Sequence, residues 1–258
     1  MTTLTLSRSE ALDLLSSFGE QTEDLLLRVK AGALSLVVGT VGFDTFYLRK
    51  TIQVEPSQIT KEGELGISDL KKVVQFCKKC KSPHPIRFTQ NELGKQLTVK
   101  SGGMTLKVPT MKIINSHTKV PLIEDQLKKT EENMYQSWRN DTLETHGTIN
   151  VSNLKSVSGF KNFFTYPDFV VSAHAEEGEF FIKAGKQGTM QLMMESALEN
   201  SEGPNDRVES KFGKWLMDCT GLLLDGDATI HMGNNTFLFI QQHTTDGVNC
   251  VMVIKNEA

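Results

Sequence analysis

The sequence predicts an α+β protein whose two halves follow one plan. Three observations support this: the order of apolar patterns recurs, glycines recur at matching places, and helical stripes alternate with strand patterns. Gly32 and Gly39 in the first half are matched by Gly178 and Gly185 in the second, at one constant spacing. Each half is therefore predicted to contain a strand, a helix, several strands, a second helix and three final strands.

The first helix of each half follows a short strand. In the first copy, residues 4–7 precede a helix that ends near Phe18, with Ser7 or Ser9 placed to cap it. Its apolar positions fall at helical spacing: Ala11, Leu14, Leu15 and Phe18. In the second copy, residues 148–152 precede a similar stripe made of Leu154, Val157 and Phe160.

The second helix of each half carries a clear apolar stripe. In the first copy we expect it over residues 68–81, with a buried stripe of Leu70, Val73, Val74 and Cys77. Its counterpart is expected to open at residues 209–216 and to bury Phe212, Trp215, Leu216, Cys219 and Leu223.

Three strands are expected after each second helix, separated by glycine turns. They span residues 86–89, 97–100 and 104–108 in the first copy, and 228–232, 236–241 and 250–254 in the second. The resulting domains are residues 1–112 and 146–258. The connector, residues 113–145, is longer than most loops and is predicted to be partly helical around residues 124–138.

Composition and termini restrict the class of protein. The 258-residue chain has no apolar run long enough for a membrane span, and its first residues lack a secretory pattern. Four cysteines are too few for a disulfide scaffold of this length. We therefore expect an intracellular protein in a reducing compartment, without membrane association.

Charge is unevenly distributed along the chain. Residues 1–112 hold 16 Lys/Arg and 11 Asp/Glu, whereas residues 113–258 hold 12 and 20. The exposed side of the helix at 68–81 presents Lys71, Lys72, Lys78 and Lys79 with Gln75 and no carboxylate among them. Lysines without an array of base-reading side chains suit phosphate contact without sequence readout, although such a face is often simply solvated.

Catalytic and metal-binding patterns are weak. Cys77 and Cys80 form a C-x-x-C late in their helix, where no helix N-terminus stabilises a thiolate, so we interpret them as structural. The six histidines form no metal-binding motif, and no nucleotide-binding or nucleophile motif is present. Neither catalysis, a metal nor a cofactor is expected.

Three stretches resemble the sliding clamp family, which includes proliferating cell nuclear antigen: residues 66–74, 97–109 and 212–254. The resemblance implies two domains of the processivity fold per chain and six per ring, hence a homotrimer. It implies helices lining a central hole around double-stranded DNA, bound without sequence specificity, and antiparallel sheets outside. It also implies that a DNA polymerase and a clamp loader dock short hydrophobic peptides beside the connector.

The resemblance and the lysine pattern together assign three sets of residues. The DNA-lining set is Arg8, Lys71, Lys72, Lys78, Lys79, Lys155, Lys161, Lys211 and Lys214. The partner-peptide pocket is Val41, Phe43, Val120, Pro121, Leu122, Ile123, Phe237, Val251 and Val253. The subunit interface is Met104, Leu106 and Val108 of one chain against Met190, Leu192 and Met194 of the next.

Several alternatives stay open. Leu122 and Ile123 are also compatible with simply pinning the connector onto the domain, and the C-terminal valines with sheet core. A similar two-repeat protein could act as a nucleic-acid-associated adaptor that never closes a ring. A metal-dependent hydrolase using Asp225, Asp227 and His231 is a further alternative.

Overall fold

A computed structural model describes residues 1–18, 22–40, 46–81, 83–90, 96–110, 114–130, 136–160, 169–185, 191–213 and 215–253. The chain forms two compact units. The first unit holds residues 1–38, 49–120 and 245–247, and the second holds the remainder. Among the helices in the described ranges, none is long and apolar enough to cross a membrane.

The described chain contains five α-helices and twenty-one strands. The helices are α1 (Arg8–Ser16), α2 (Leu70–Lys79), α3 (Ile114–Gln126), α4 (Val151–Ser158) and α5 (Trp215–Cys219). The strands before α3 are β1 (Thr2–Leu6), β2 (Leu25–Lys30), β3 (Ala33–Thr40), β4 (Phe46–Gln53), β5 (Ile59–Lys61), β6 (Gly63–Ile67), β7 (Ile86–Gln90), β8 (Gln96–Ser101) and β9 (Met104–Pro109). Those after α3 are β10 (Leu127–Lys129), β11 (Gln136–Trp138), β12 (Asp141–Thr142), β13 (Thr145–Asn150), β14 (Phe169–His174), β15 (Glu179–Ala184), β16 (Leu192–Ala197), β17 (Glu199–Glu202), β18 (Val208–Phe212), β19 (Asp227–Met232), β20 (Leu238–Thr244) and β21 (Gly247–Val253).

The predicted repeat is confirmed in both element order and sheet topology. The first copy has strand orders β5-β1-β7-β8-β9 and β4-β3-β2-β6. The second copy has β17-β13-β19-β20-β21 and β16-β15-β14-β18, with every strand replaced by its counterpart. All pairings with a determined register are antiparallel, for example Leu106 opposite Val99 and Met194 opposite Ile182. A further, three-stranded sheet with the order β10-β11-β12 belongs to the second unit.

The first helix of each copy begins with a side-chain cap. Ser7 accepts a hydrogen bond from the Glu10 amide, and the Glu10 carboxylate accepts one from the Ser7 amide, so both orphan donors are satisfied. Asn150 caps α4 by accepting from the Ser152 amide. The stripe predicted for α1 is confirmed, since Ala11, Leu14, Leu15 and Phe18 are all buried.

Helix α2 is strongly amphipathic, as predicted. Its apolar stripe is buried and consists of Leu70, Val73, Val74 and Cys77. Asp69 precedes it in a left-handed conformation, with φ of 55°. The four lysines on its opposite side are exposed, so α2 packs one face inward and presents a cationic face outward.

Three local expectations were wrong. Residues 208–212 form β18, not the start of a helix, because Val208, Ser210 and Phe212 alternate inward at strand spacing. The helix of the connector spans Ile114–Gln126, so it overlaps the helix predicted around residues 124–138 only at residues 124–126. Phe160 lies beyond the end of α4 and is 41% exposed, whereas Leu154 and Val157 are buried.

Candidate nucleic-acid, partner and subunit surfaces

The cationic face of α2 lies in the first unit. Lys71, Lys72, Lys78 and Lys79 are all exposed. Lys72 forms an ion pair with Asp69, and this hydrogen bond raises the pKa of the lysine. The expectation of a face without any carboxylate therefore needs correction at the helix start, where Asp69 neutralises one of the four charges.

Arg8 extends this face from the neighbouring helix. Its guanidinium Nη2 donates to the carbonyl oxygen of Lys78 at 3.0 Å. This bond holds a cation from the start of α1 against the last turn of α2, where carbonyl groups carry partial negative charge. The first unit thus brings Arg8 together with the last turn of α2.

The second unit supports the lining assignment less well. Lys155 on α4 forms an ion pair with Asp225 at 3.1 Å, so its charge is partly neutralised. Lys211 is exposed on β18, opposite Val170, and not on a helix. Lys161 and Lys214 fall outside the described residues.

Most residues assigned to the partner pocket are buried within the chain. Val120, Ile123, Phe237, Val251 and Val253 have exposed fractions of 3% or less. Such side chains fill the core and offer no surface to a peptide, so the core alternative holds for them.

The remaining pocket residues divide between exposed and undescribed positions. Leu122 is 55% exposed and Pro121 is half-buried. Val41 and Phe43 fall outside the described residues. Two aromatic residues that the sequence analysis did not assign are likewise buried: the Trp138 ring packs edge-on against Phe237 at 6.1 Å, and the Tyr47 hydroxyl donates to the Glu124 carboxylate at 2.7 Å. Trp138 lies within the predicted connector, whereas Tyr47 is far from it in sequence.

The described residues of the assigned subunit interface lie on two strands that end sheets. β9 ends the five-stranded sheet of the first copy, and β16 ends the four-stranded sheet of the second. Met104 is exposed, Leu106 is half-buried and Val108 is buried. On β16, Leu192 and Met194 are half-buried, and Met193, absent from the predicted set, is 62% exposed. Met190 falls outside the described residues.

A cavity opens beside β9 within the first unit. It has a volume of about 480 Å³, and its lining includes Leu106, Val108, Ser68, Asp69 and Lys72. The Ser68 hydroxyl donates to the carbonyl oxygen of Pro109, which ties the end of β9 to the segment leading into α2. The edge strand and the cationic helix therefore meet at one place in the fold.

Solved structures similar to this chain include sliding clamps. The chain matches a structure of the PCNA2–PCNA3 complex from Sulfolobus tokodaii with 13% identity, coverage of 99% of both chains and a TM-score of 0.64. It matches A. fulgidus PCNA, bound to the C-terminal region of FEN-1, with 11% identity, coverage of 100% and 99%, and a TM-score of 0.67. The chain has the sliding-clamp fold.

A DNA polymerase sliding clamp from Pseudomonas aeruginosa shares this fold at greater length. The match has 15% identity and a TM-score of 0.68, and covers 100% of this chain and 65% of the other. No protein-family model matches the sequence, and no curated protein matches it either. The likeness to clamps is therefore one of fold.

The cysteines of this clamp fold are buried and free. Burial raises the pKa of the Cys77 thiol to about 12, and burial likewise raises the pKa of Cys219. The Cys80 thiol donates to the Phe76 carbonyl oxygen at 3.3 Å. Because a protonated, buried thiol is a poor nucleophile and ligand, this geometry agrees with a structural role for the C-x-x-C pair.

The residues of the hydrolase alternative are not arranged as a metal site. Asp225 is exposed and paired with Lys155, whereas His231 is buried and stacked on His146 with ring centroids 5.5 Å apart. In the described ranges, one other group has metal-ligand spacing: His174, Glu177 and Glu179. Its members already have partners, since His174 bonds the Asn205 carbonyl oxygen at 2.7 Å and Glu179 pairs with Arg207 at 2.8 Å.

Proposed function

We propose that this chain is a DNA polymerase processivity factor that closes into a homotrimeric ring around duplex DNA. The ring would tether a polymerase, a clamp loader and other replication proteins in a reducing intracellular compartment, and would catalyse no reaction itself. The observation that carries the proposal is the pair of open edges, β9 and β16, in a chain with the sliding-clamp fold.

β9 and β16 are two of the strands that end the described sheets, and pairing between them would give head-to-tail assembly. An edge strand presents backbone donors and acceptors that readily pair with another strand. Because β9 and β16 are different surfaces, their pairing is heterologous. A heterologous contact generates a closed ring when the rotation that relates each copy to the next adds up to one full turn. The half-exposed apolar residues Leu106, Leu192 and Met194 on these edges would then be covered.

The cationic face on α1 and α2 is consistent with this function. A closed ring is retained on DNA by topology, so its lysines need only weak phosphate contacts that permit sliding. Sliding clamps are the structural neighbours, and one of them is solved with the C-terminal region of FEN-1, which supports partner docking as part of the proposal.

Topological retention on DNA tests the proposal without a known loader. The protein is incubated with linear duplex DNA, the ends are then blocked with bulky protein adducts, and the complex is washed with high salt. A ring stays on the DNA until a restriction enzyme cuts it, whereas a surface-bound protein is removed by the salt in either case. Light scattering should give a particle of three 28.8 kDa chains. A salt-sensitive monomer would contradict the ring and favour the adaptor.

A further inference from the structure

We propose that the connector sheet, β10-β11-β12, is a cover over part of the second copy that opens when His231 takes up a proton. The connector sheet directly follows α3, the helix that carries the exposed Leu122, so its opening changes the segment next to that residue. The residues that carry the inference lie in the second unit of a single chain. The inference therefore does not depend on the proposed ring.

A row of three rings crosses the second copy's sheet. His146 on β13 lies opposite His231 on β19, and Phe239 on β20 lies opposite His231 on its other side. Directly opposite residues of antiparallel strands point to the same face, so these rings share one face. The His231 ring is stacked on His146 with centroids 5.5 Å apart and lies 6.0 Å from the Phe239 ring. Because Ile230 and Met232 alternate to the other face and are buried there, the ring row needs a cover of its own.

The connector sheet packs against the strands that carry the ring row. Trp138 on β11 packs edge-on against Phe237, just before β20, with ring centroids 6.1 Å apart. The Thr142 carbonyl oxygen at the end of β12 lies against Gly233, just after β19, where an added Cβ would come within 3.2 Å of it. These contacts place the connector sheet over the ends of both strands.

A proton on His231 is unfavourable while this cover is closed. Both nitrogens of an imidazolium are donors, and Nδ1 of His231 is buried without a hydrogen-bond partner among the described residues. Its titratable and charged neighbours are His146 from β13 and Lys129 from β10, whereas β20 contributes the uncharged Phe239. Glu202 on β17 lies opposite His146, one strand further away. Protonation therefore buries an unsatisfied donor and adds a cation beside a lysine.

Opening of the connector sheet removes this penalty. Burial, reinforced by the charges of His146 and Lys129, lowers the pKa of His231 to about 4, whereas a solvated histidine keeps its ordinary value of 6.5. Between these two values the open state binds a proton that the closed state excludes, so opening becomes more favourable as the pH falls. From pH 7 to pH 4 the equilibrium constant for opening should rise by about a hundredfold.

Hydrogen exchange followed by mass spectrometry measures the opening. Exchange of the amides in residues 127–130 and 136–142 is recorded from pH 7 to pH 4 and corrected for the intrinsic pH dependence of amide exchange. The corrected opening constant should rise about a hundredfold and should depend little on urea, because a local opening exposes little surface. The amides of β14 and β15 are the reference for global unfolding, since these strands are central in a different sheet.

Two pairs of variants separate the contributions. His231→Phe keeps a ring in the row and should abolish the rise, whereas His84→Phe, at an exposed histidine of the first unit, should leave it unchanged. Lys129→Gln removes a charge that opposes protonation and should make the rise about twofold to threefold smaller. Lys128→Gln, at the neighbouring exposed lysine, is the matched control and should behave like wild type.

Three results would overturn the inference. A full rise that persists in His231→Phe would assign the acid sensitivity to other groups. An undiminished rise in Lys129→Gln would contradict the repulsion between cations under the cover. Connector amides with the same opening constant and urea dependence as those of β14 and β15 would show that the sheet opens only when the whole unit unfolds. None of these results bears on the proposed ring.

Discussion

Leu122 and Ile123 show at the residue scale how neighbouring apolar side chains on one helix differ in role. Both lie on α3, yet Leu122 is 55% exposed and Ile123 only 1%. A large exposed leucine is available to a partner, whereas the buried Ile123 holds the helix in place. Their joint replacement would confuse binding with folding, so the two positions must be changed separately.

Leu122→Ser should weaken capture of polymerase-derived peptides while changing the free energy of unfolding by less than about 0.5 kcal/mol, as is usual at exposed positions. Ile123→Ser should lower the free energy of unfolding by about 2–4 kcal/mol, because it removes buried apolar volume. Urea unfolding and peptide titration measure the two effects. Peptide affinity unchanged by Leu122→Ser would place the docking site elsewhere.

His231 is a buried titratable residue within the second unit. It faces His146 on β13 and Phe239 on β20. Glu202 lies beyond His146 on β17. Burial, reinforced by the charges of His146 and Lys129, lowers the pKa of His231 to about 4. The folded chain therefore keeps this imidazole neutral.

The consequence is a loss of stability in acid. The pKa of His231 in the folded chain lies below the ordinary histidine value of 6.5. The contribution of the neutral imidazole to the free energy of unfolding is therefore complete above about pH 6.5 and is lost as the pH falls toward about 4. The loss should reach about 3 kcal/mol. His231→Phe, which keeps a ring between His146 and Phe239, should flatten this decline in denaturant melts between pH 7 and 4. An unchanged slope would assign the acid sensitivity to other groups.

Helix α2 combines structural and functional roles at the scale of a single element. Its buried stripe fixes its orientation, and the same periodicity places four lysines on the opposite side. Arg8 joins this face through its bond to the Lys78 carbonyl oxygen, so the local cation density exceeds that of either helix alone. This element is the strongest candidate for contact with DNA phosphates.

Replacing Lys71, Lys72, Lys78 and Lys79 with alanine should reduce DNA association while leaving helix and assembly intact, because alanine favours helices. The salt dependence of binding should also become shallower, by about 0.9 in the log–log slope for each phosphate that the variant no longer binds. A matched control removes four exposed lysines elsewhere: Lys30, Lys61, Lys128 and Lys129. Equal weakening in both variants would indicate a nonspecific charge effect.

The whole molecule has a net formal charge of −3 that hides a cationic first half and an acidic second half. Unlike charges on the two halves favour head-to-tail association, and the open edges β9 and β16 lie on opposite halves. Assembly is thus expected to depend both on apolar contact at the edges and on long-range charge.

Leu106→Asp should convert the proposed assembly into 28.8 kDa monomers. The substitution places an unpaired carboxylate among the apolar side chains at the proposed contact between β9 of one copy and β16 of the next. Sedimentation measures the mass, and circular dichroism checks that the chain is folded. Leu224→Asp is the control, because Leu224 is 50% exposed and far from either edge strand in sequence. An intact trimer in the Leu106 variant would show that β9 is not part of the contact between copies.

Local patterns in the sequence predicted the repeat, the stripe and lysine face of α2, and the three strands that close each copy. These features follow from periodicity and turn residues, which act over a few positions. The helix predicted to open at residues 209–216 is wrong over residues 209–212, because Phe212 and the apolar residues after it imitate a helical stripe. Pairing with β14 selected the strand, and only the folded sheet supplies that partner.

The tertiary structure alone decided which candidate side chains are available. Burial separated Leu122 from Ile123, and Asp69 and Asp225 appeared beside lysines that the sequence left unpaired. Strand order showed that β9 and β16 are edges, a property that depends on which neighbours are absent. The sequence by itself determined the repeated order of helices and strands, because secondary-structure propensity and the spacing of apolar residues depend on residues that are close together in the chain. Exposure, ion pairing and open edges depend on residues far apart in the chain, so only the fold determines them.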